Sequence, residues 1–123
     1  MKVIIDLIED IRTAINNERS FSLSAMGLQE GENSEFTPIW QSELSAYTID
    51  TEAKKLFLYL GKDKGIEVGE FLDRLSELAN EEMMYELCVS YTKGEERIDS
   101  PLMGFGESFI DKKYLLFVNA SKG

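Results

Sequence analysis

Two stretches of the chain carry the same pattern of apolar positions. In residues 4–15, IIDLIEDIRTAI, apolar side chains recur at steps of three and four, which predicts an amphipathic helix with one buried stripe. Residues 68–78, VGEFLDRLSEL, repeat this spacing and predict a second helix. The apolar stripe of the first helix consists of Ile4, Leu7, Ile8, Ile11, Ala14 and Ile15. Adding 64 to each of these residue numbers gives another six apolar residues: Val68, Phe71, Leu72, Leu75, Leu78 and Ala79.

The segments that follow each helix also correspond. Residues 21–25 and 85–89 alternate apolar and polar side chains, which predicts one strand in each half. Proline lacks an N–H, so the two prolines are expected at a strand start or edge. After each strand come a Gly-Glu turn (QEGENSE at 29–35, TKGEERID at 92–99), a proline segment (TPIW at 37–40, SPLM at 100–103) and an Ile-Asp hairpin that ends in an apolar run (IDTEAKKLFLYL at 49–60, IDKKYLLFV at 110–118).

These matches predict an α+β fold of two tandem α-β-β-β repeats with pseudo-twofold symmetry, built of antiparallel sheets with the helices packed on one face. The first repeat is residues 1–60, the segment GKDKG at 61–65 is the linker, and the second repeat is residues 66–123. Together they form a single compact domain. Because LFLYL and YLLFV are apolar on both faces, the second sheet face is expected to meet the other repeat or a second subunit of a homodimer.

Charge and composition narrow the expected partners. The 123 residues contain 23 acidic and 13 basic side chains and no histidine, for a net charge of −10, so the surface should repel nucleic acid and anionic membranes. Cys88 is the single cysteine, which excludes an internal disulfide and fits a reducing compartment. Asp6 interrupts the apolar start, so no secretory signal is expected and the predicted location is the cytoplasm.

The sequence contains few residues suited to catalysis. Without histidine the commonest general base and metal ligand is missing, and Glu86 lies two residues before Cys88, where its charge disfavours a thiolate. EGENSE lacks the ligand spacing of a calcium-binding EF-hand loop, and GKDKG lacks that of a phosphate-binding loop. No catalytic, cofactor or metal site is predicted, and a non-enzymatic role is favoured over an enzyme.

Two sets of residues are candidates for binding. Carboxylates near the predicted turns could face a basic partner, or could serve only solubility: Glu30, Glu32, Glu35, Glu95, Glu96 and Asp99. Aromatic residues could line a groove between the repeats: Trp40, Tyr47, Phe105 and Tyr114. Phe105 lies in LMGFGES at 102–108, where the two repeats differ.

The motif VGEFLDRLSEL, followed by an alternating strand, a Gly-acid turn and a closing Ile-Asp hairpin with a lysine pair, resembles small domains of bacterial and phage genomes. The resemblance covers both halves and implies a prophage or mobile-element accessory protein, with no catalytic residues carried over. The leading prediction is a non-enzymatic acidic protein-binding module, whose partner could be a basic nucleic-acid-binding enzyme that it inhibits. The alternatives are a small-ligand-binding protein or enzyme with a groove between the repeats, and a structural homodimer.

Overall fold

The computed structural model describes residues 1–120 and shows a mixed α+β fold with a six-stranded barrel. Two α-helices, α1 and α2, each precede three strands, and a short 3₁₀ helix follows α2. In chain order the elements are α1 (Ile4–Ile15), β1 (Ser22–Glu30), β2 (Phe36–Asp50), β3 (Lys55–Gly61), α2 (Val68–Leu75), the 3₁₀ helix (Glu82–Met84), β4 (Glu86–Lys93), β5 (Glu96–Ser108) and β6 (Lys113–Asn119).

The first helix has the predicted bounds. Its N-terminus is stabilised because the Asp6 carboxylate accepts a hydrogen bond from the Val3 backbone N–H at 2.9 Å. The helix ends where Asn16 adopts a left-handed conformation, with φ 52°. The buried stripe consists of Ile4, Leu7, Ile11 and Ile15.

The second helix is shorter than the repeated pattern predicts. It ends at Leu75, and Leu78 and Ala79 lie beyond it. The chain continues in tight turns with hydrogen bonds three residues apart, from Glu77 N–H to Arg74 O and from Leu78 N–H to Leu75 O. Leu78 still packs against the core, so the apolar spacing persists beyond the α-helical backbone.

The strands form one closed barrel in the order β1-β2-β3-β4-β5-β6. Pairs β1–β6 and β3–β4 are parallel and the other four are antiparallel, so the expectation of purely antiparallel sheets is wrong. In this arrangement β3 lies between β2 and β4, and β6 lies between β5 and β1. On β3, the Phe57 ring is contacted by a side chain of β5, since the Arg97 guanidinium lies 5.3 Å from the ring centre.

The strand directions give the barrel two distinct ends. Strands β1, β3, β4 and β6 run one way and β2 and β5 run the other. At the helix end both helices begin, since Ile4 N–H donates to Tyr85 O at 3.1 Å and Val68 N–H donates to Phe21 O at 2.7 Å. At the opposite end, here called the hairpin end, are the loops 31–35 and 94–95.

One hydrophobic core joins both helices to all six strands. Its strand residues are Leu23, Ala25, Leu44, Leu56, Leu58, Leu87, Val89, Leu102, Tyr114, Leu116 and Val118. Both prolines lie inside strands, at points where the strand has a neighbour on one side only. Pro38 precedes the start of the β2–β3 pairing at Glu43, and Pro101 precedes the start of the β5–β6 pairing at Leu102. None of the helices within residues 1–120 has the length and apolar character needed to cross a bilayer.

Candidate functional site at the hairpin end

The carboxylates predicted to face a partner lie on two hairpins at one end of the barrel. Glu30, Glu32 and Glu35 belong to the β1–β2 hairpin. Glu95 and Glu96 belong to the β4–β5 hairpin, and Asp99 lies three residues into β5. Since β1 and β4 run in the same direction, these residues, about 60 positions apart in the chain, contribute negative charge to the same end of the barrel.

These carboxylates are not equivalent. Glu35 stabilises its own loop, because its carboxylate accepts a hydrogen bond from Asn33 N–H at 2.9 Å. Asp99 accepts a hydrogen bond from Arg97 Nε at 2.9 Å. Glu32, Glu95 and Glu96 are exposed, Glu32 and Glu95 in the hairpin loops and Glu96 at the first residue of β5. Glu32, Glu95 and Glu96 are therefore the carboxylates best placed to contact an external partner.

Exposed apolar side chains accompany this acidic surface. Phe36, at the start of β2, is 42% exposed, and Ile39 is 49% exposed. A large apolar side chain left half in water next to charged residues is a feature of interaction surfaces. The hairpin end thus combines apolar contact area with negative charge.

A groove of about 490 Å³ opens between β2 and β4 beside these hairpins. It lies where β4 separates from the last residues of β3, and three aromatic side chains form much of its wall. The lining residues are Trp40, Gln41, Ser42, Tyr59, Leu60, Ser90, Tyr91, Thr92 and Arg97. Its volume is in the lower part of the range of ligand-binding pockets.

Trp40 and Tyr91 meet across the groove. Their ring centres are 5.3 Å apart at an interplanar angle of 61°, an edge-to-face contact. The indole lies against Gly27 on β1, where a Cβ atom would overlap it. Burial raises the pKa of the Tyr91 hydroxyl.

Arg97 is the only charged residue of the groove lining. Its Nε donates to Ser90 Oγ and to Asp99 Oδ1, both at 2.9 Å, and its guanidinium lies over the rings of Phe57 and Tyr59. The hydrogen bond that Arg97 donates to Asp99, together with that carboxylate's charge, raises the pKa of Arg97. Asp99 offsets the positive charge, so the groove presents little net charge of its own.

The four aromatic residues predicted to share a groove are distributed over different places. Trp40 lines the groove at the hairpin end. Tyr47 packs edge to face on Phe71 of α2, with ring centres 5.1 Å apart. Phe105 stacks on Tyr114, and the Tyr114 side chain is fully buried in the core.

The remaining polar groups of the interior are engaged structurally. Burial, and then the charge of Glu86, raise the pKa of the Cys88 thiol to about 11, so the thiol is protonated near neutral pH. Lys113 Nζ donates to the Glu43 carboxylate and to Ser22 Oγ, so this amine is held within the structure by two side-chain contacts. Within residues 1–120 no group of three or more cysteine or acidic side chains is placed to hold a metal ion.

Tyr59, Tyr91 and Arg97 line the groove but were not predicted from the sequence. Tyr91 had a usable signal, because it continues the period-two alternation of Tyr85, Leu87 and Val89 along β4. Arg97 had none, since its position depends on the pairing of β4 with β5.

Comparison of the chain with models of protein families, with curated proteins and with solved structures found no match. A function for this protein is therefore inferred from the geometry of the hairpin end.

Proposed function

We propose that the protein is a non-enzymatic acidic binding module that contacts a basic protein partner through the hairpin end. The observation that carries this proposal is that exposed carboxylates of two separate hairpins lie at the same end of the barrel as the half-exposed Phe36 and Ile39. Negative charge would steer a basic partner to this surface and favour one orientation. The apolar side chains would supply the desolvated contacts on which most binding energy depends.

The class of partner follows from charge. A nucleic-acid-binding enzyme carries a basic surface that normally faces phosphates, and a chain of net charge −10 could occupy that surface as an inhibitor. The similarity of the sequence pattern to small phage and bacterial domains supports a role as a phage or mobile-element accessory protein acting in the cytoplasm. Direct binding of nucleic acid or of an anionic membrane is disfavoured by the same charge.

Matched charge reversals test the proposal. One variant carries Glu32→Lys, Glu95→Lys and Glu96→Lys at the hairpin end. The control carries Glu9→Lys, Glu70→Lys and Glu77→Lys, which are exposed carboxylates of the helical segments. Each reversal adds two charges, so both variants have a net charge of −4 instead of −10.

The immobilised wild-type protein is used to capture proteins from a host lysate, and the affinity of each retained basic protein is then measured at two salt concentrations. The hairpin variant should bind at least about tenfold more weakly than wild type, a loss of about 1.4 kcal/mol. The control should lose much less, because its changes lie at other surfaces. Equal losses in both variants, or no dependence on salt, would refute a specific acidic surface.

We also infer that the two halves are repeats related by a pseudo-twofold axis. Two isolated strand bridges support this, Val3 with Glu86 and Ser22 with Glu67. Adding 64 to residue numbers 3 and 22 gives 67 and 86, which are the partner residues in these two bridges. The offset that aligns the two helices therefore maps one bridge onto the other. An experimental structure in which residues 3–30 and 67–94 fail to superpose would contradict the inference.

A further inference from the structure

The groove at the hairpin end opens where β3 and β4 stop pairing. The last residues that the two strands pair are Tyr59 and Ser90. Beyond this pair, residues 60–61 of β3 and residues 91–92 of β4 continue side by side without pairing. The groove volume of about 490 Å³ lies within the range of pockets that hold small molecules, so the space left beside the aromatic side chains is sufficient for a ligand.

The aromatic walls of the groove are held in place by the protein. The Trp40 indole is fixed between the Tyr91 ring, whose centre is 5.3 Å away, and the backbone of Gly27, where a Cβ atom would overlap it. The Tyr59 ring centre lies 5.7 Å from the Arg97 guanidinium. Walls that are ordered before a ligand arrives reduce the entropy lost when it binds.

The groove also presents polar groups that the protein does not use itself. Within residues 1–120, the Trp40 indole N–H and the Tyr91 hydroxyl make no hydrogen bond. Both side chains are half-buried, and every fully buried polar atom of such side chains has a partner, so these two groups are accessible to solvent. Gln41 and Thr92 of the lining are exposed. A ligand in the groove therefore meets hydrogen-bonding groups as well as aromatic rings.

The charges around the groove favour an uncharged ligand. Arg97 is the only charged residue of the lining and would repel a cation. Asp99 already accepts a hydrogen bond from Arg97, so neither member of this pair is free to neutralise a charged ligand. The exposed carboxylates of Glu95 and Glu96, directly before Arg97 in the chain, would repel an anion.

The angle between the rings distinguishes two classes of uncharged ligand. The planes of Trp40 and Tyr91 are inclined by 61° and the rings touch edge to face, so they cannot enclose a planar base from both sides. A sugar ring is puckered, with C–H groups on its faces and hydroxyls around its edge. Its C–H hydrogens can pack on the negative face of one aromatic ring while its hydroxyls reach the neighbouring polar groups.

We propose that this groove binds a neutral carbohydrate, a mono- or disaccharide. The C–H face of the sugar packs on the aromatic walls, and its hydroxyls form hydrogen bonds with the side chains of Tyr91, Gln41 and Thr92. Aromatic walls with a few polar groups that fix orientation are the usual composition of a small-molecule site. This inference rests on the groove alone and is independent of the proposed contact with a basic protein.

Titration with neutral saccharides tests the inference. The probes are glucose, N-acetylglucosamine, cellobiose, maltose, lactose and N,N′-diacetylchitobiose. Sorbitol, which has hydroxyls but no ring, and caffeine, which is neutral and planar, are the comparison compounds. Calorimetry measures affinity, and the fluorescence of Trp40, the single tryptophan of the chain, reports binding in the groove. At least one saccharide should bind with a Kd of about 5 mM or lower and change Trp40 emission in a saturable way, whereas sorbitol should not.

Two pairs of variants place the saccharide in the groove. Tyr91→Phe keeps the ring and removes the hydroxyl, so it should bind the saccharide about two- to tenfold more weakly, the loss expected for one hydrogen bond. Its control is Tyr85→Phe, at a half-buried tyrosine beside β4 at the helix end, which should bind as wild type does. Thr92→Phe fills part of the groove and should weaken binding at least about tenfold, whereas Thr13→Phe, at an exposed position of α1, should not.

Charge separates this inference from the proposed function. The variant with lysine at positions 32, 95 and 96 should bind the saccharide as tightly as wild type does at low and high salt, because the ligand is uncharged. The same variant should lose a basic protein partner, and if it does not, only the proposed function fails. The carbohydrate inference is overturned if no saccharide binds by about 5 mM, if sorbitol binds equally well, if caffeine binds and the saccharides do not, or if Tyr91→Phe binds the saccharide as tightly as wild type.

Discussion

Tyr114→Phe tests how the second half of the barrel is joined to the first helix. Tyr114 lies on β6, is fully buried, and donates from its hydroxyl to Asp10 Oδ2 on α1 at 2.5 Å. Its ring stacks on Phe105 with centres 6.1 Å apart. Phenylalanine keeps the ring and its packing, so the substitution removes the hydroxyl and this one hydrogen bond.

The expected loss follows from the chemistry of the bond. A hydrogen bond to a charged group contributes about 1.5–3 kcal/mol to the free energy of unfolding. Asp10 is half-buried, so water can solvate the carboxylate once the hydroxyl is gone, which points to the lower part of that range. A loss of about 1.5–2 kcal/mol lowers Tm by roughly 6–8 °C for a chain of this length.

Urea unfolding at pH 7, followed by far-ultraviolet circular dichroism, measures the loss. Tyr85→Phe is the matched control, because that tyrosine is half-buried and its hydroxyl makes no hydrogen bond within residues 1–120. Adding Asp10→Asn to Tyr114→Phe should cost less than Asp10→Asn alone, since the shared bond is already broken. A Tyr114→Phe protein within about 0.5 kcal/mol of wild type would refute the assigned role of this bond.

The same residue sets an alkaline limit on stability. Burial, then the hydrogen bond to Asp10 and the charges of Asp10 and Glu107, raise the pKa of Tyr114 above its usual value near 10. Above about pH 10 the unfolded chain releases this proton and the folded chain keeps it, so stability falls by up to about 1.4 kcal/mol per pH unit. Tyr114→Phe lacks this contribution, so its deficit relative to wild type should shrink as the pH rises above 10. A deficit that stays constant to pH 11 would contradict the sign of the shift.

Three further substitutions or treatments test other parts of the fold. The Cys88 thiol, whose pKa burial raises to about 11, should react slowly with iodoacetamide at pH 8 in the native protein and rapidly in urea, as mass spectrometry can show; fast native labelling would contradict its burial. Gly27→Ala should displace the Trp40 indole, shift its emission to the red and cost about 1–3 kcal/mol, whereas Gly104→Ala, whose Cβ would meet only Phe117 at 4.0 Å, should leave the emission unchanged. Leu7→Ala in the buried stripe of α1 should cost about 2–5 kcal/mol in urea unfolding, and half-buried Ile8→Ala should cost clearly less; equal losses would mean that the stripe is wrongly assigned.

Local patterns in the sequence predicted the elements better than their arrangement. The stripe of α1 and the alternation along β1 and β4 depend on neighbouring residues, and both are found in the structure. Closure of the barrel depends on parallel pairing of β1 with β6, whose residues are about 90 positions apart, and no local pattern encodes that choice. The same limit hid the groove, because its lining combines residues of β2, β3, β4 and β5.

The proline segments show how a correct sequence match can give a wrong structural correspondence. When TPIW at 37–40 and SPLM at 100–103 are aligned position by position, Trp40 corresponds to Met103. In the barrel Pro38 pairs with Leu28 near the end of β1, whereas Pro101 pairs with Cys88 near the middle of β4. Strand β2 has 15 residues and β5 has 13, and the hairpin loops before them differ in length. The proline segment therefore pairs with a different part of the preceding strand in each half, although the order of residue types along the chain is the same.

Barrel closure explains why neither half is sufficient alone and where a partner could bind. Within the first half, β1 and β3 are edge strands, and each is covered only by a strand of the second half, β6 or β4. The bridges from Val3 to Glu86 and from Ser22 to Glu67 extend this reciprocal pairing to the segments before the helices. Reciprocal pairing protects the strand edges at the helix end, whereas at the hairpin end β4 separates from β3 after Ser90 and residues 36–42 of β2 precede the β2–β3 pairing. Exposed Phe36 begins this segment of β2 and follows the acidic loop 31–35, so a partner that binds this end of the barrel would meet apolar area and negative charge together.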